Sequence, residues 1–223
     1  MTPKTGSKLR IGVLISGRGS NFKALLEASQ KPDFPAEIVC VISNKGQAGG
    51  LDVAREAGIA TVVVPHTGFA SREAFDVAVD TQLRRYDVEL VVLAGFMRVL
   101  SAEFINRWPD RILNIHPSLL PSFRGLHTHE RTIEAGCKIA GCTVHIVRPE
   151  LDEGPIIAQA AVPVLEGDTA GTLAARILEQ EHRIYPEAVR LIAEGRVEID
   201  GMVARIRDAK PSNQPLLNPA PRG

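Results

Sequence analysis

The apolar positions of this chain fall first into short continuous runs and then into stripes. Arg10–Ser16, Glu37–Ser43, Ala60–Val64, Glu89–Ala94 and Arg111–Ile115 are rich in Val and Ile and are bounded by Gly, Asn or Pro, a pattern that predicts short buried strands. The segments between them read as helices. Asn21–Gln30 carries Phe22, Leu25 and Leu26 on one stripe, and Ser71–Tyr86 starts as Ser-x-x-Ala and repeats Phe75, Val79 and Leu83 at helical spacing. Strands alternating with helices imply parallel strands joined by helical crossovers.

After residue 116 the rhythm changes. Cys142–Arg148 and Pro155–Val164 are strand-like runs separated by Pro149–Gly154, too few residues for a helical crossover, so antiparallel pairing is expected. Ala170–Gly195 places Leu173, Ile177, Ile184, Ala188 and Leu191 on one helical face, with Pro186 expected to bend the helix and Gly195 to end it. Val197–Ile199 and Met202–Ile206 flank Asp200–Gly201, a two-residue hairpin signal. The fold class is therefore α/β, with a mostly parallel central sheet, helices on both faces and an antiparallel C-terminal part.

The 223 residues suit one large domain. The expected division is a polar, flexible N-terminus over 1–8, a domain over 9–207 and a Pro-rich flexible tail over 208–223, whose composition cannot offset the entropy of ordering. Lys+Arg and Asp+Glu are both 26, leaving a formal charge of zero, so no basic field is available for nucleic acid. The start holds no apolar targeting core, and no run is long enough to cross a bilayer, which leads to the expectation of a cytoplasmic protein without a membrane partner. Cys40, Cys137 and Cys142 lack CxxC spacing and read as reduced thiols rather than a disulfide framework or zinc site.

Ser16–Gly17–Arg18–Gly19–Ser20–Asn21 lies between the first strand and the first helix. Glycines there let backbone N–H groups converge, and a helix N-terminus favours a phosphate. The bland alternative is a tight turn capped by Ser20 or Asn21. Dinucleotide binding is disfavoured, because Phe22 occupies the third glycine position and the second strand runs into Ser43–Asn44–Lys45 without an acidic residue for a ribose.

The segment Leu113–Asn114–Ile115–His116–Pro117–Ser118–Leu119–Leu120–Pro121 places an amide and an imidazole two residues apart where a strand ends. Alternation puts Asn114 and His116 on one side of the backbone. An amide N–H can hold an oxyanion while an imidazole moves a proton, which points to acyl chemistry, although a structural histidine is the competing reading. Metal binding by His127, His129 and His116 is disfavoured, because alternate positions at the start of a helix do not share a face and no carboxylate box completes the set. His145 and His182 read as structural hydrogen-bonding residues and His66 as a surface residue. Asp152, in the loop Pro149–Pro155, is a candidate to orient His116, but an Asp near Gly is more often a turn former, and spacing alone does not bring the two together.

The ordered motifs Gly-Arg-Gly-Ser-Asn, Ala-Gly-Phe-Met-Arg-Val-Leu (94–100), Asn-Ile-His-Pro-Ser-Leu-Leu-Pro (114–121), Leu-Asp-Glu-Gly-Pro-Ile-Ile (151–157) and Glu-His-Arg-Ile-Tyr-Pro (181–186) closely resemble those of the phosphoribosylglycinamide formyltransferases. The resemblance spans roughly residues 9–207 and implies a Rossmann-like formyltransferase fold. It further implies 10-formyltetrahydrofolate as co-substrate, 5-phosphoribosylglycinamide as acceptor, a place in purine biosynthesis and no metal. Carried over position by position, it assigns the substrate phosphate to Gly19, Ser20 and Asn21 and the ribose hydroxyls to Glu181. Met97, Arg98, Val99 and Leu100 become the wall receiving the folate, and Asn114, His116 and Asp152 the catalytic set. A monomer or homodimer is equally compatible. Ser122–Phe123–Arg124 stands where relatives vary, and Arg124 receives no role.

Formyltetrahydrofolate deformylase and methionyl-tRNA formyltransferase share the Asn, His and Asp. The first is expected to carry an added N-terminal domain and the second a C-terminal RNA-binding domain, neither of which fits around 9–207. A hydrolase using water also has no need of a phosphate loop. A non-catalytic phosphometabolite-binding module is the alternative from a different class.

Overall fold

Pairing of the apolar runs determines the architecture. In the computed structural model, which describes residues 7–210 and 216–219, β1 (Leu9–Ile15), β2 (Ala36–Ser43), β3 (Ala60–Val63), β4 (Leu90–Leu93) and β5 (Ile112–His116) run parallel. β6 (Ile139–Ile146) and β7 (Ile156–Pro163) extend the sheet antiparallel, giving the order β3-β2-β1-β4-β5-β6-β7. β1 is almost continuously apolar because both of its faces are covered. Ile11, Val13 and Ile15 enter one core, while Leu14 enters the other. The first core is closed by α1 (Ser20–Ser29), α2 (Gly49–Glu56) and α6 (Ala170–Ala193), the second by α3 (Arg72–Arg85) and α4 (Ala102–Arg107). A short α5 (Thr128–Glu134) precedes β6.

Local signals explain the helix limits. Ser71 caps α3 by accepting from the Ala74 N–H, and Thr169 and Thr172 form a reciprocal capping box at α6. Pro186 does not interrupt α6, which continues to Ala193, and Gly195 follows it with φ 65°. The second core holds Trp108, whose Nε1 donates to the Asp80 carboxylate at 2.7 Å between the guanidinium groups of Arg84 and Arg111. Cys40, Cys137 and Cys142 are all free, and burial pushes the Cys40 and Cys142 thiols up to about 12.

The strand limits agree with the sequence pattern to within a residue or two, except that β6 begins at Ile139, three residues before the expected Cys142. The C-terminal hairpin, β8 (Val197–Asp200) with β9 (Val203–Ile206), also differs by one position. Asp200 pairs with Val203, so the turn residues are Gly201 and Met202, with Gly201 at φ 59° supplying the left-handed conformation. Residues 1–6, 211–215 and 220–223, and with them most of the expected flexible ends, lie outside the described residues. Asn218 is described and donates to the carbonyls of Lys138 and Val164 at 2.6 and 2.8 Å.

Strand order reverses between β1 and β4: the chain moves outward through β2 and β3, then returns to the other side of β1. In open sheets of this kind, ligands bind in the crevice beyond the carboxyl ends of the strands at such a reversal. The loops after β1, β4 and β5 lie at that end of the sheet.

Candidate active site

The turn after β1 is shaped by Gly19, which sits at φ 76° as the N-cap of α1 with no side-chain cap. This corrects the reading in which Ser20 or Asn21 caps the helix. With no side chain occupying them, the first-turn N–H groups are left to an incoming anion. Gly19 also lies against α2: a Cβ placed there would come within 3.0 Å of the Gly50 Cα. Asn21 points elsewhere than the turn. Its Nδ2 donates to Glu181 Oε2 on α6 at 2.7 Å, across 160 residues of sequence, while its Oδ1 is buried with no partner among the described residues. Glu181 is itself buried, and burial raises its carboxyl pKa against the opposing effects of the Asn21 amide and the His116 charge. The glycine turn and α6 are thus tied together by a direct hydrogen bond between two buried side chains.

On β5, Asn114 and His116 share a face as alternation requires. The antiparallel partner β6 sets His145 opposite Asn114. His145 Nδ1 lies 3.1 Å from the Ile146 carbonyl, an acceptor, so its Nε2 is free to accept from Asn114 Nδ2 at 3.2 Å. Burial lowers the His145 pKa, which keeps the ring in this neutral form. His145 therefore orients the Asn114 amide, a structural bond of the kind expected. His182 does not conform to that expectation: its Nε2 is buried without a partner among the described residues.

Buried His116 is bracketed by two loops. Its Nε2 is 3.0 Å from the Phe123 carbonyl, which requires a proton on that nitrogen, and its Nδ1 faces Asp152 Oδ2 at 3.5 Å. The same carboxylate oxygen accepts the Gly125 N–H at 2.8 Å, and the Arg124 guanidinium pairs with Glu153 alongside. Bringing Asp152 here needs a fold-back, because β6 passes His116 at Thr143 and runs three residues beyond it to Ile146, opposite Leu113. Gly154 makes it possible, at φ 131° with the position of a Cβ only 1.9 Å from the Ile146 carbonyl oxygen. Phe123, His127 and Asp152 all take positive φ, at 53°, 57° and 49°, a concentration of unusual backbone that only surrounding contacts can maintain.

The loop after β4 carries the expected folate wall. Met97 and Val99 are exposed apolar side chains, whereas Leu100 is buried in the second core and Arg98 stacks over Phe75 with 4.9 Å to the ring centroid. What Arg98 and Leu100 offer a ligand is therefore mainly backbone. His127 is an exposed N-cap of α5, and among the described residues no cluster of three or more His, Cys, Asp or Glu side chains is arranged to hold a metal. Nor is any helix among them long and apolar enough to cross a membrane.

The family pattern described as formyl transferase matches residues 9–189. The chain belongs to the formyl transferase family. The sheet and its covering helices are the Rossmann-like formyltransferase fold: a solved structure of glycinamide ribonucleotide transformylase 1 from Symbiobacterium toebii superposes with a TM-score of 0.89 at 51% identity, covering 92% of this chain and 96% of that one. Phosphoribosylglycinamide formyltransferase of Escherichia coli K12 is 46% identical over 191 residues, 86% of this chain and 90% of its own length. The trifunctional purine biosynthetic protein adenosine-3 of Gallus gallus is 51% identical over 193 residues, and this formyl transferase chain matches only 19% of its length.

Within the formyl transferase chain, Glu181, Asp152 and the turn after β1 come to the site from three separate regions. His145, the Phe123 carbonyl and the Gly125 N–H were not foreseen as its supports. Cross-strand pairing of β5 with β6 is the signal that would have found His145. Nothing local marks the two backbone groups.

Proposed function

We propose that the chain transfers the formyl group of 10-formyltetrahydrofolate to the amine of 5-phosphoribosylglycinamide, a step of purine biosynthesis. The observation that carries this reading is the placement, beyond the carboxyl ends of parallel strands on either side of β4, of an uncapped helix N-terminus joined to buried Glu181 and of an Asn/His/Asp group. The first suits a phosphoribosyl group; the second suits acyl transfer.

In this mechanism the amine attacks the formyl carbon, and the carbonyl π electrons move onto oxygen. The Asn114 amide and the protonated His116 ring stabilise that oxyanion. Asp152 supports the imidazolium and, directly or through water, carries a proton from the attacking nitrogen to N10 of the folate, which leaves as the carbonyl re-forms. Formyl carbon passes from one nitrogen to the other with no covalent enzyme intermediate. Gly19, Ser20 and Asn21 hold the phosphate by backbone N–H groups, Glu181 takes the ribose hydroxyls, and residues 97–100 line the pterin. Asp152 and Glu181 both reach this assembly through long-range contacts, which supports a single domain over 9–207.

The deciding experiment follows release of the deaza analogue of tetrahydrofolate from its 10-formyl form, with and without phosphoribosylglycinamide. Release that requires the amine and yields formylated ribonucleotide is expected. Release without it identifies a hydrolase, and no release under either condition leaves a binding module.

A further inference from the structure

Ser16, the last residue before the glycine turn, is buried, and its side chain is fully committed. Its hydroxyl donates to Asn44 Oδ1 at 2.6 Å and accepts the Met97 N–H at 2.8 Å, while its own N–H donates to the Gly95 carbonyl at 3.1 Å. Asn44 is buried too, and His66 Nδ1 lies 3.3 Å from both its side-chain Nδ2 and its backbone carbonyl oxygen. One hydroxyl therefore ties the ends of β1 and β2 to the loop that follows β4.

The two loops depend on that hydroxyl unequally. The glycine turn has anchors of its own: the Gly50 N–H donates to the Gly17 carbonyl at 3.2 Å, the Lys23 N–H to the Gly19 carbonyl at 2.8 Å, and Asn21 to Glu181. The loop after β4 is pinned at Gly95 and again at Ser101, whose N–H donates to Asp76 Oδ2 at 2.7 Å. Between those pins, among the described residues, the backbone of 96–100 has the Ser16 hydroxyl as its hydrogen-bond partner and no other. That stretch presents the exposed Met97 and Val99 side chains.

We infer that Ser16 is a positioning residue for the folate donor: its hydroxyl holds the 96–100 backbone in register with the phosphate turn. Removal frees the donor wall and leaves the phosphate turn in place. The inference rests on the assignment of 97–100 to the folate, and direct binding measurements separate it from the question of turnover.

The test is calorimetric titration of the wild type, Ser16→Ala and Asn44→Ala with two ligands separately: a 10-formyl-dideazafolate, which has no amine to react with when the ribonucleotide is left out, and phosphoribosylglycinamide. Ser16→Ala is expected to weaken folate binding roughly tenfold, the scale of one lost buried hydrogen bond, and ribonucleotide binding by less than about twofold. Asn44→Ala, which leaves the hydroxyl without its acceptor but keeps the Met97 contact possible, is expected to weaken folate binding about threefold, and it decides the matter alone if Ser16→Ala does not fold. A purely structural Ser16 would lower the melting temperature and leave both affinities alone. That result, or equal weakening of both ligands, overturns the inference. If the wild type binds the folate but not the ribonucleotide, the acceptor assignment fails while the folate arm still judges Ser16; if it binds no folate, both fail.

Discussion

The two halves of the site are built by opposite means. The turn proposed for the phosphate takes its shape from a short stretch, a left-handed glycine at a helix N-terminus, with the Asn21–Glu181 bond as its one distant side-chain anchor. The His116 half is assembled at a distance, from a strand end, a loop held by a positive-φ Phe123 and a second loop folded back across the sheet. The local half should bind well even when its surroundings shift, because few residues determine its shape. The distant half should lose function when any of its tethers is released. Affinity for the ribonucleotide and rate of transfer are therefore expected to be separable by substitution.

The sharpest separation is expected from the residues proposed to take part in the reaction. His116→Ala and Asp152→Asn are each expected to lower kcat by about 10²–10⁴-fold with ribonucleotide affinity nearly unchanged. Asn at 152 keeps a residue tolerant of positive φ, so a loss there reflects charge rather than strain. Steady-state kinetics paired with titration would decide, and parallel losses in both quantities would erase the contrast between the halves.

Gly154→Ala attacks the distant half without touching a reacting group. Its methyl collides with the Ile146 carbonyl, and the displaced Asp152 is expected to cost on the order of 10²-fold in kcat. A kcat within twofold of wild type would show that the fold-back tolerates adjustment. Gly19→Ala is the matching change in the local half. Strain at φ 76° and the approach to Gly50 should raise the ribonucleotide KM about tenfold, with kcat at saturation largely retained.

Glu181, which joins the halves, should appear in the pH dependence of stability. Its carboxyl pKa is raised above the ordinary 4.5, chiefly by burial, so the folded protein binds more protons than the unfolded chain between 4.5 and the raised value. Stability from this group is present below that window and declines as pH rises through it. Urea unfolding at a series of pH values should show a shallower decline for Glu181→Gln; a steeper one would reverse the assignment. The smallest effect belongs to the Arg124–Glu153 pair. Both partners are substantially exposed, and Arg124→Ala should cost at most about 1 kcal/mol of stability. A large drop in kcat from that change would make the exposed pair, and not Gly154, the main tether of Asp152.

The same contrast governs what could be read without coordinates. Parallel strands buried on both faces leave continuous apolar runs, so β1 to β5 were legible nearly to the residue. Alternation along β5 put Asn114 beside His116, and the glycine turn announced itself. The approach of Asp152 to His116, and of Asn21 to Glu181, is written in no spacing; resemblance to a family supplied those residues, and only the fold-back at Gly154 and the packing of α6 on α1 explain them. The hairpin turn slipped by one residue because Asp200–Gly201 and Gly201–Met202 both offer a glycine, and only strand pairing chooses between them.

Trp108 has a practical consequence. It is the chain's one tryptophan, fully enclosed between two guanidinium groups and a carboxylate just before β5 begins, whereas His116 stands where β5 ends. Its emission should report sensitively on loss of the α3–α4 core during unfolding and remain nearly constant as ligands occupy the far end of the sheet. Tryptophan fluorescence is thus a clean optical probe of folding for this protein and a poor one for occupancy.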